Sequence, residues 1–284
     1  LLAPTLIFIV VFILYPISVA GYMSFHKVGL KELATGKMPF VGLQNFFEVS
    51  GDKLWIESFL HTLAFTAVVV GVQILLGLGI ALLIYTPLNK FSRAIKAVML
   101  VPWAVSPVTN GILWKFLFDP SFGHLNVVLQ LLGITNDFIL WLSDPKLALW
   151  AIALAYIWRV TPFCVLLFYA ALQGVPKELY EVADLDGATA WSKFKNVTLP
   201  LIMPVLAILL VLRTMFSLRV FAEIFSMTYG GPGTSTWVVG WYIYSTAFRY
   251  FRYGVGCAAG MLLAIFIGFV SFLYIKFFYK EVQY

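Results

Sequence analysis

The sequence predicts an all-α, polytopic integral membrane protein with six transmembrane helices and a cytoplasmic helix–turn–helix. Three observations point there. Of 284 residues, 62% are hydrophobic and 11% charged, and the mean hydropathy is +0.93. A soluble domain carries roughly 25% charged residues, so this chain could not cover its own surface in water. The apolar residues also fall in long uncharged runs, and a spanning helix needs about 20 of them. The runs are continuous rather than alternating. That favours helices over barrel strands, because lipid offers free backbone amides no partner.

In order, the expected spans cover 2–25, 58–86, 94–116, 147–172, 198–219 and 253–278, all within a single domain, 1–284. The first run is too long for a signal peptide and lacks a basic start and a small-residue cleavage site. Leu125–Leu142 is interrupted by Asn126, Gln130, Gly133, Asn136 and Asp137, and reads as an amphipathic surface element. Ile224–Phe248 is uncharged, but Gly230-Gly231-Pro232-Gly233-Thr234-Ser235-Thr236 inside it is a turn signal. The remaining Trp237–Phe248 is too short to span and reads as an interfacial or re-entrant helix.

The charges exclude several classes. The net charge of +6 is scattered over loops, which suits a membrane surface and not nucleic acid. The histidines His26, His61 and His124 form no metal spacing, and Cys164 and Cys257 both lie in expected spans as packing residues. The chain has no Gly-x-x-x-x-Gly-Lys-Ser/Thr phosphate loop, so ATP would have to bind a partner. Basic residues divide evenly between the two sets of loops. Those around Lys90–Lys96 and Lys177–Lys195 are denser, whereas the opposite set is diluted by acids, which favours cytoplasmic termini and a cytoplasmic loop at 174–198.

That loop reads as two short helices. Pro176 has the φ of a first helical turn, and Glu178 sits where the helix dipole favours an acid. Asp186-Gly187 is a stop and turn, since glycine takes positive φ freely. A second helix should run from about Ala190 to Asn196, with Leu199-Pro200 opening the fifth span. Such a hairpin could dock in a groove of another protein and pass its motion to the spans. An ordinary interfacial loop is the alternative that residue chemistry leaves open.

Glu181, Ala183, Gly187, Leu199 and Pro200 stand at the spacing of the signature loop of ABC importer permeases, with Val182 and Val197 as mild departures. The segment resembles that loop, and the likeness covers almost the whole chain. Phe40-Val41-Gly42-Leu43-Gln44-Asn45-Phe46, Val101-Pro102-Trp103 and Trp141-Leu142-Ser143-Asp144-Pro145 resemble the carbohydrate-uptake branch, on the side of the maltose-type larger permease, as does Phe225–Thr236. The extra N-terminal spans and large outer-loop domain of that permease have no counterpart in this sequence. The resemblance implies a permease subunit of an ATP-driven, binding-protein-dependent saccharide importer in the inner membrane of a bacterium or archaeon. It implies a second homologous permease, two copies of a cytoplasmic ATPase holding ATP and Mg, and an extracytoplasmic solute-binding protein. It places ATPase coupling on Glu178, Glu181, Ala183, Asp184, Asp186, Gly187, Ala188, Leu199 and Pro200. Carried across without gaps, the maltose-type sugar contacts fall on Thr109, Arg159, Val160, Phe163, Arg213, Phe216, Ser217 and Val220.

Polar residues within spans are functional candidates in their own right. Gln73, Thr109, Asn110, Arg159 and Arg213 stand out. An unpaired arginine in lipid costs at least ~2.5–3.5 kcal/mol, so Arg159 and Arg213 should face water, a ligand or a partner, Glu223 being one candidate. Arg219 reads more readily as an interfacial residue. Arg213, Phe216, Ser217 and Val220 follow helical spacing and should share one face. The arginines would also suit an anionic saccharide such as a uronate oligomer or a sugar phosphate. An ion-coupled secondary sugar transporter is the competing class; it would want a mid-membrane carboxylate, and none of the six expected spans has one.

Overall fold

The structure, a computed structural model, describes residues 3–85 and 99–278. Among the described residues, five helices are long and apolar enough to cross a bilayer: Ala3–Ser24, Lys53–Tyr85, Ala148–Gln173, Ala190–Leu218 and Tyr253–Lys276. The segment expected as a third span begins outside the described residues. Within them it forms two short helices, Val101–Ala104 and Pro107–Leu117. The break has a local cause. Pro107 disfavours the helical conformation at the residue before it, and Ser106 is extended at φ −63, ψ 150. Ser106 then caps the second piece, its Oγ accepting the Thr109 N–H at 3.2 Å. Ser106→Ala should cost about 1 kcal/mol, read as a lower thermal midpoint of the purified complex, whereas Ser106→Asp should not.

The hairpin's second leg also differs from expectation. Ala190–Leu218 is one continuous helix, not a short helix followed by a separate span. Pro200 lacks the N–H the ladder needs there. The turn before it, Phe194–Thr198, widens into a π-turn in which the Leu199 N–H reaches the Phe194 carbonyl. A widened turn absorbs the proline without ending the helix. A second π-turn, Val10–Leu14, precedes Pro16 in the first long helix.

The second and fourth spans form the centre of the packing. They approach closely where Gly77 faces Cys164: a Cβ on Gly77 would lie 2.7 Å from the Cys164 Cβ. One core joins Phe65, Val69, Ile152, Tyr156 and Trp241, and a second joins Ala81, Cys164, Phe168, Leu172, Ile202 and Leu209. The first long helix buries none of its apolar stretch against the rest of the described chain.

The segment after the fifth span folds as the Gly/Pro signal predicts. Ala222–Met227 is followed by a turn, then by Val239–Tyr244, which continues as a π-turn over Ser245–Arg249. This second part is more buried than an interfacial helix. Trp241 is fully buried, the Val239 N–H donates to Thr62 Oγ1 at 2.8 Å, and the Tyr242 hydroxyl donates to Asp52 Oδ2 at 2.7 Å. Asp52 also accepts the Leu54 N–H at 2.9 Å, so one carboxylate caps the second span and anchors the returning helix. In the element expected at Leu125–Leu142, only His124–Leu131 is α-helical. Buried Asn126 closes it, donating to the Ile139 carbonyl and accepting from Trp141 Nε1 at 2.9 Å.

Candidate functional site

Two regions collect the residues singled out by sequence: the hairpin between the fourth and fifth spans, and a polar network inside the bundle.

The hairpin is built for rigidity. Its first helix runs Lys177–Leu185, with Glu178 in the first turn. It ends in a Schellman motif: the Gly187 N–H donates to the Asp184 carbonyl at 3.1 Å, and the Ala188 N–H to the Ala183 carbonyl at 2.9 Å. Gly187 supplies the left-handed residue, at φ +71. Thr189 caps the next helix, its Oγ1 accepting the Ser192 N–H. Two contacts tie the legs together: Lys193 Nζ to Asp184 Oδ1 at 2.6 Å, and the Tyr180 hydroxyl to Thr198 Oγ1 at 2.8 Å. The second contact joins the first leg to the continuous helix that becomes the fifth span.

Among the predicted coupling residues, Glu178, Glu181, Asp184, Asp186, Gly187 and Pro200 are exposed, while Ala183, Ala188 and Leu199 are half-buried. The hairpin also presents apolar side chains outward: Leu185 is 88% exposed, Trp191 70% and Val182 56%. Apolar side chains beside acids on a rigid projection form a surface suited to a protein partner. Trp191, which the sequence reading did not assign to coupling, belongs to it.

In the bundle, the arginines find partners. Arg159 donates to Glu223 Oε1 through Nη2 at 3.0 Å and Nε at 3.2 Å, joining the fourth span to the helix Ala222–Met227. Arg213, 5% exposed, donates through Nε to Gln73 Oε1 at 3.0 Å and through Nη2 to the Tyr156 hydroxyl at 3.1 Å. It thereby ties the fifth span to the second and fourth. The Tyr156 ring lies near both guanidiniums, 5.5 Å from Arg159 and 5.8 Å from Arg213. Asn110 donates to the Ala155 carbonyl at 3.2 Å, holding the broken third segment on the fourth span. On the same segment, a Cβ on Gly111 would collide with Ser226, so the helix Ala222–Met227 packs directly on it.

The predicted substrate-path residues therefore do not form one open surface. Val160, Ser217 and Val220 are buried within the chain, and Arg213 is enclosed by its hydrogen bonds. Thr109 and Phe216 are exposed, and Phe163 is half-buried with Trp103 stacked on it at 5.7 Å between ring centres. The expected common face on the fifth span holds only in part. The helix ends at Leu218, so Val220 is outside it; Arg213 lies 5.8 Å from the centre of the Phe216 ring, but Arg213 and Ser217 are buried while Phe216 is exposed. The helical spacing assumed that the helix continued; the polar partners on the second and fourth spans decided which side turned inward. Tyr156 gave no signal in the sequence, being one aromatic within an apolar run.

Residues 73–283 match the family described as the binding-protein-dependent transport system inner membrane component. The chain belongs to that family. Over 280 residues it is 36% identical to the trehalose/maltose transport system permease protein of Thermococcus litoralis, covering 97% of this chain and 91% of that protein. It is 33% identical to the sulfoquinovosyl glycerol transport system permease protein of Agrobacterium fabrum, over 97% of this chain and 88% of the relative. A bacterial ABC transporter involved in the import of the acidic polysaccharide alginate has a chain of the same fold, with a TM-score of 0.85 and 25% identity over 99% of this chain and 94% of that one. The protein is thus a multi-pass permease component of a binding-protein-dependent transporter, and the family is a membrane permease rather than an ATPase.

Proposed function

We propose that this permease moves a saccharide inward across the cytoplasmic membrane, pairing with a second homologous permease and driven by two copies of a cytoplasmic ABC ATPase. An extracytoplasmic solute-binding protein delivers the cargo. The relatives are named for trehalose and maltose, sulfoquinovosyl glycerol and alginate, which supports a saccharide and spans neutral and acidic ones. The chain supplies no catalytic group; ATP and Mg bind the motor subunits. The termini and the hairpin lie on the cytoplasmic side, as the dense basic loops favour.

The observation that carries this reading is the hairpin. A leucine left 88% exposed beside a hydrogen-bonded turn makes sense where a partner covers it; its burial is worth about 1.5–3 kcal/mol. Because Ala190–Leu218 is continuous, a displacement of the hairpin is transmitted along the helix axis into the fifth span. ATP-driven closure of the motor would tilt that helix and switch the path between inward- and outward-facing.

Leu185→Cys tests the docking. In membranes containing the whole complex, a cysteine there should cross-link to a cysteine in the motor's surface groove, and the yield should change between nucleotide-free and ATP-trapped states. Labelling of that introduced thiol by an external, membrane-impermeant reagent in intact cells would contradict the proposed orientation.

A further inference from the structure

We infer that Arg219, lying on the exposed ring of Phe216, is the cationic contact for cargo, and that the cargo is an anionic saccharide carrying a carboxylate, sulfonate or phosphate. This rests on the saccharide-import reading.

The arginines of the described residues separate by what occupies them. Arg159 is held by Glu223, Arg252 by Glu48, and Arg213 by Gln73 and Tyr156. Arg249 is packed on the rings of Tyr229 and Trp241, 5.2 and 5.8 Å from their centres. Arg219 is exposed and has no carboxylate within ion-pair distance among the described residues. Its hydrogen bond runs from Nε to the Met215 carbonyl of the preceding helical turn, at 3.3 Å. The two Nη groups remain for a ligand, and a guanidinium presents parallel donors to an oxyanion.

The ring beneath it makes the position informative. Phe216 is 50% exposed, with the guanidinium carbons of Arg219 and Arg213 at 5.3 and 5.8 Å from its centre. An open aromatic face gives a pyranose its apolar stacking surface, and a cation at the edge of that face meets a charged substituent on the same sugar. Arg213 lends the ring positive potential, but it is buried and its donors are turned to Gln73 and Tyr156. Recognition of charge therefore falls to Arg219.

Location agrees. Arg219 follows the end of the continuous helix Ala190–Leu218 that is opposite the hairpin. With the hairpin on the cytoplasmic side, as proposed above, that end faces the side from which a binding protein delivers cargo. A cation there also raises the local concentration of an anion before it enters.

The test uses the complete complex with its binding protein in proteoliposomes. A uronate trisaccharide and maltotriose serve as probes, with ATPase stimulation and uptake as readouts. Wild type should respond to the uronate. Arg219→Gln should raise the KM for uronate uptake by tenfold or more, and Arg219→Lys should recover part of the loss. Phe216→Leu, which removes the stacking surface and keeps the cation, should weaken uronate uptake less than Arg219→Gln does. Uronate uptake in Arg219→Gln equal to wild type would overturn the role of Arg219. A wild-type complex stimulated by maltotriose but not by the uronate would overturn the anionic class and leave saccharide import standing. Stimulation by neither probe would overturn both.

Discussion

Replacing Gly187 with valine should cut ATP-coupled uptake at least tenfold, while Gly187→Asn should retain most of it. The physical reason is conformational. Gly187 sits at φ +71, and a Cβ there would meet nothing within 4 Å, so space is not the constraint. Placing a β-branched residue in the left-handed region costs about 1–2 kcal/mol, and asparagine tolerates it far better. The strain falls on the turn that closes the Schellman motif, so valine opens the hairpin and displaces Leu185 from any partner surface. The complex should still hydrolyse ATP at its basal rate, with uptake lost. Valine, asparagine and wild-type chains measured side by side, with uptake and hydrolysis separated, make the check. Equal uptake in all three would remove the mechanical role of the turn; equal loss in valine and asparagine would point to a surface contact at Gly187 instead of backbone geometry.

The second large effect concerns Arg159 and Glu223. Either Arg159→Met or Glu223→Met alone should destabilise the protein by roughly 3–5 kcal/mol, because each leaves an uncompensated charge in a buried place. In a thermal melt of the purified complex this corresponds to a fall of about 6–20 °C. The Glu223 side chain is 3% exposed and that of Arg159 14%, so screening by water is slight on the acid's side. The double variant should recover most of the stability, since two apolar side chains of similar size replace a buried pair at little net cost. It should also recover uptake. A double variant that is stable yet inactive would return Arg159 to the substrate path, where the maltose-type resemblance puts it.

The same pair bears on the competing class of transporter. An ion-coupled carrier needs a membrane carboxylate free to exchange a proton or sodium. Glu223 is deeply buried, but it accepts two hydrogen bonds from Arg159 and links two elements of the bundle. Its geometry is that of a strut.

The solvent and the turn of the hairpin could both be read from the order of residues. Charge-poor runs admit no environment but lipid, and Gly187 defines a turn from local chemistry, whereas Leu199-Pro200, which reads as a helix start, lies inside the continuous helix Ala190–Leu218. Family membership was legible for the same reason: the signature is a contiguous string whose spacing reflects one local structure. The roles of the polar residues inside the spans came from the packed bundle instead. Arg159 and Arg213 look alike along the chain, each a cation in an apolar run, yet their partners are Glu223, Gln73 and Tyr156, which lie 57 to 140 positions away. Likewise, a helical face can be counted from spacing only while the helix lasts, and it stops at Leu218. Which side of that helix turned inward was set by hydrogen-bond donors and acceptors on neighbouring spans. In a bilayer those bonds have no water to replace them, so distant polar partners outweigh local pattern.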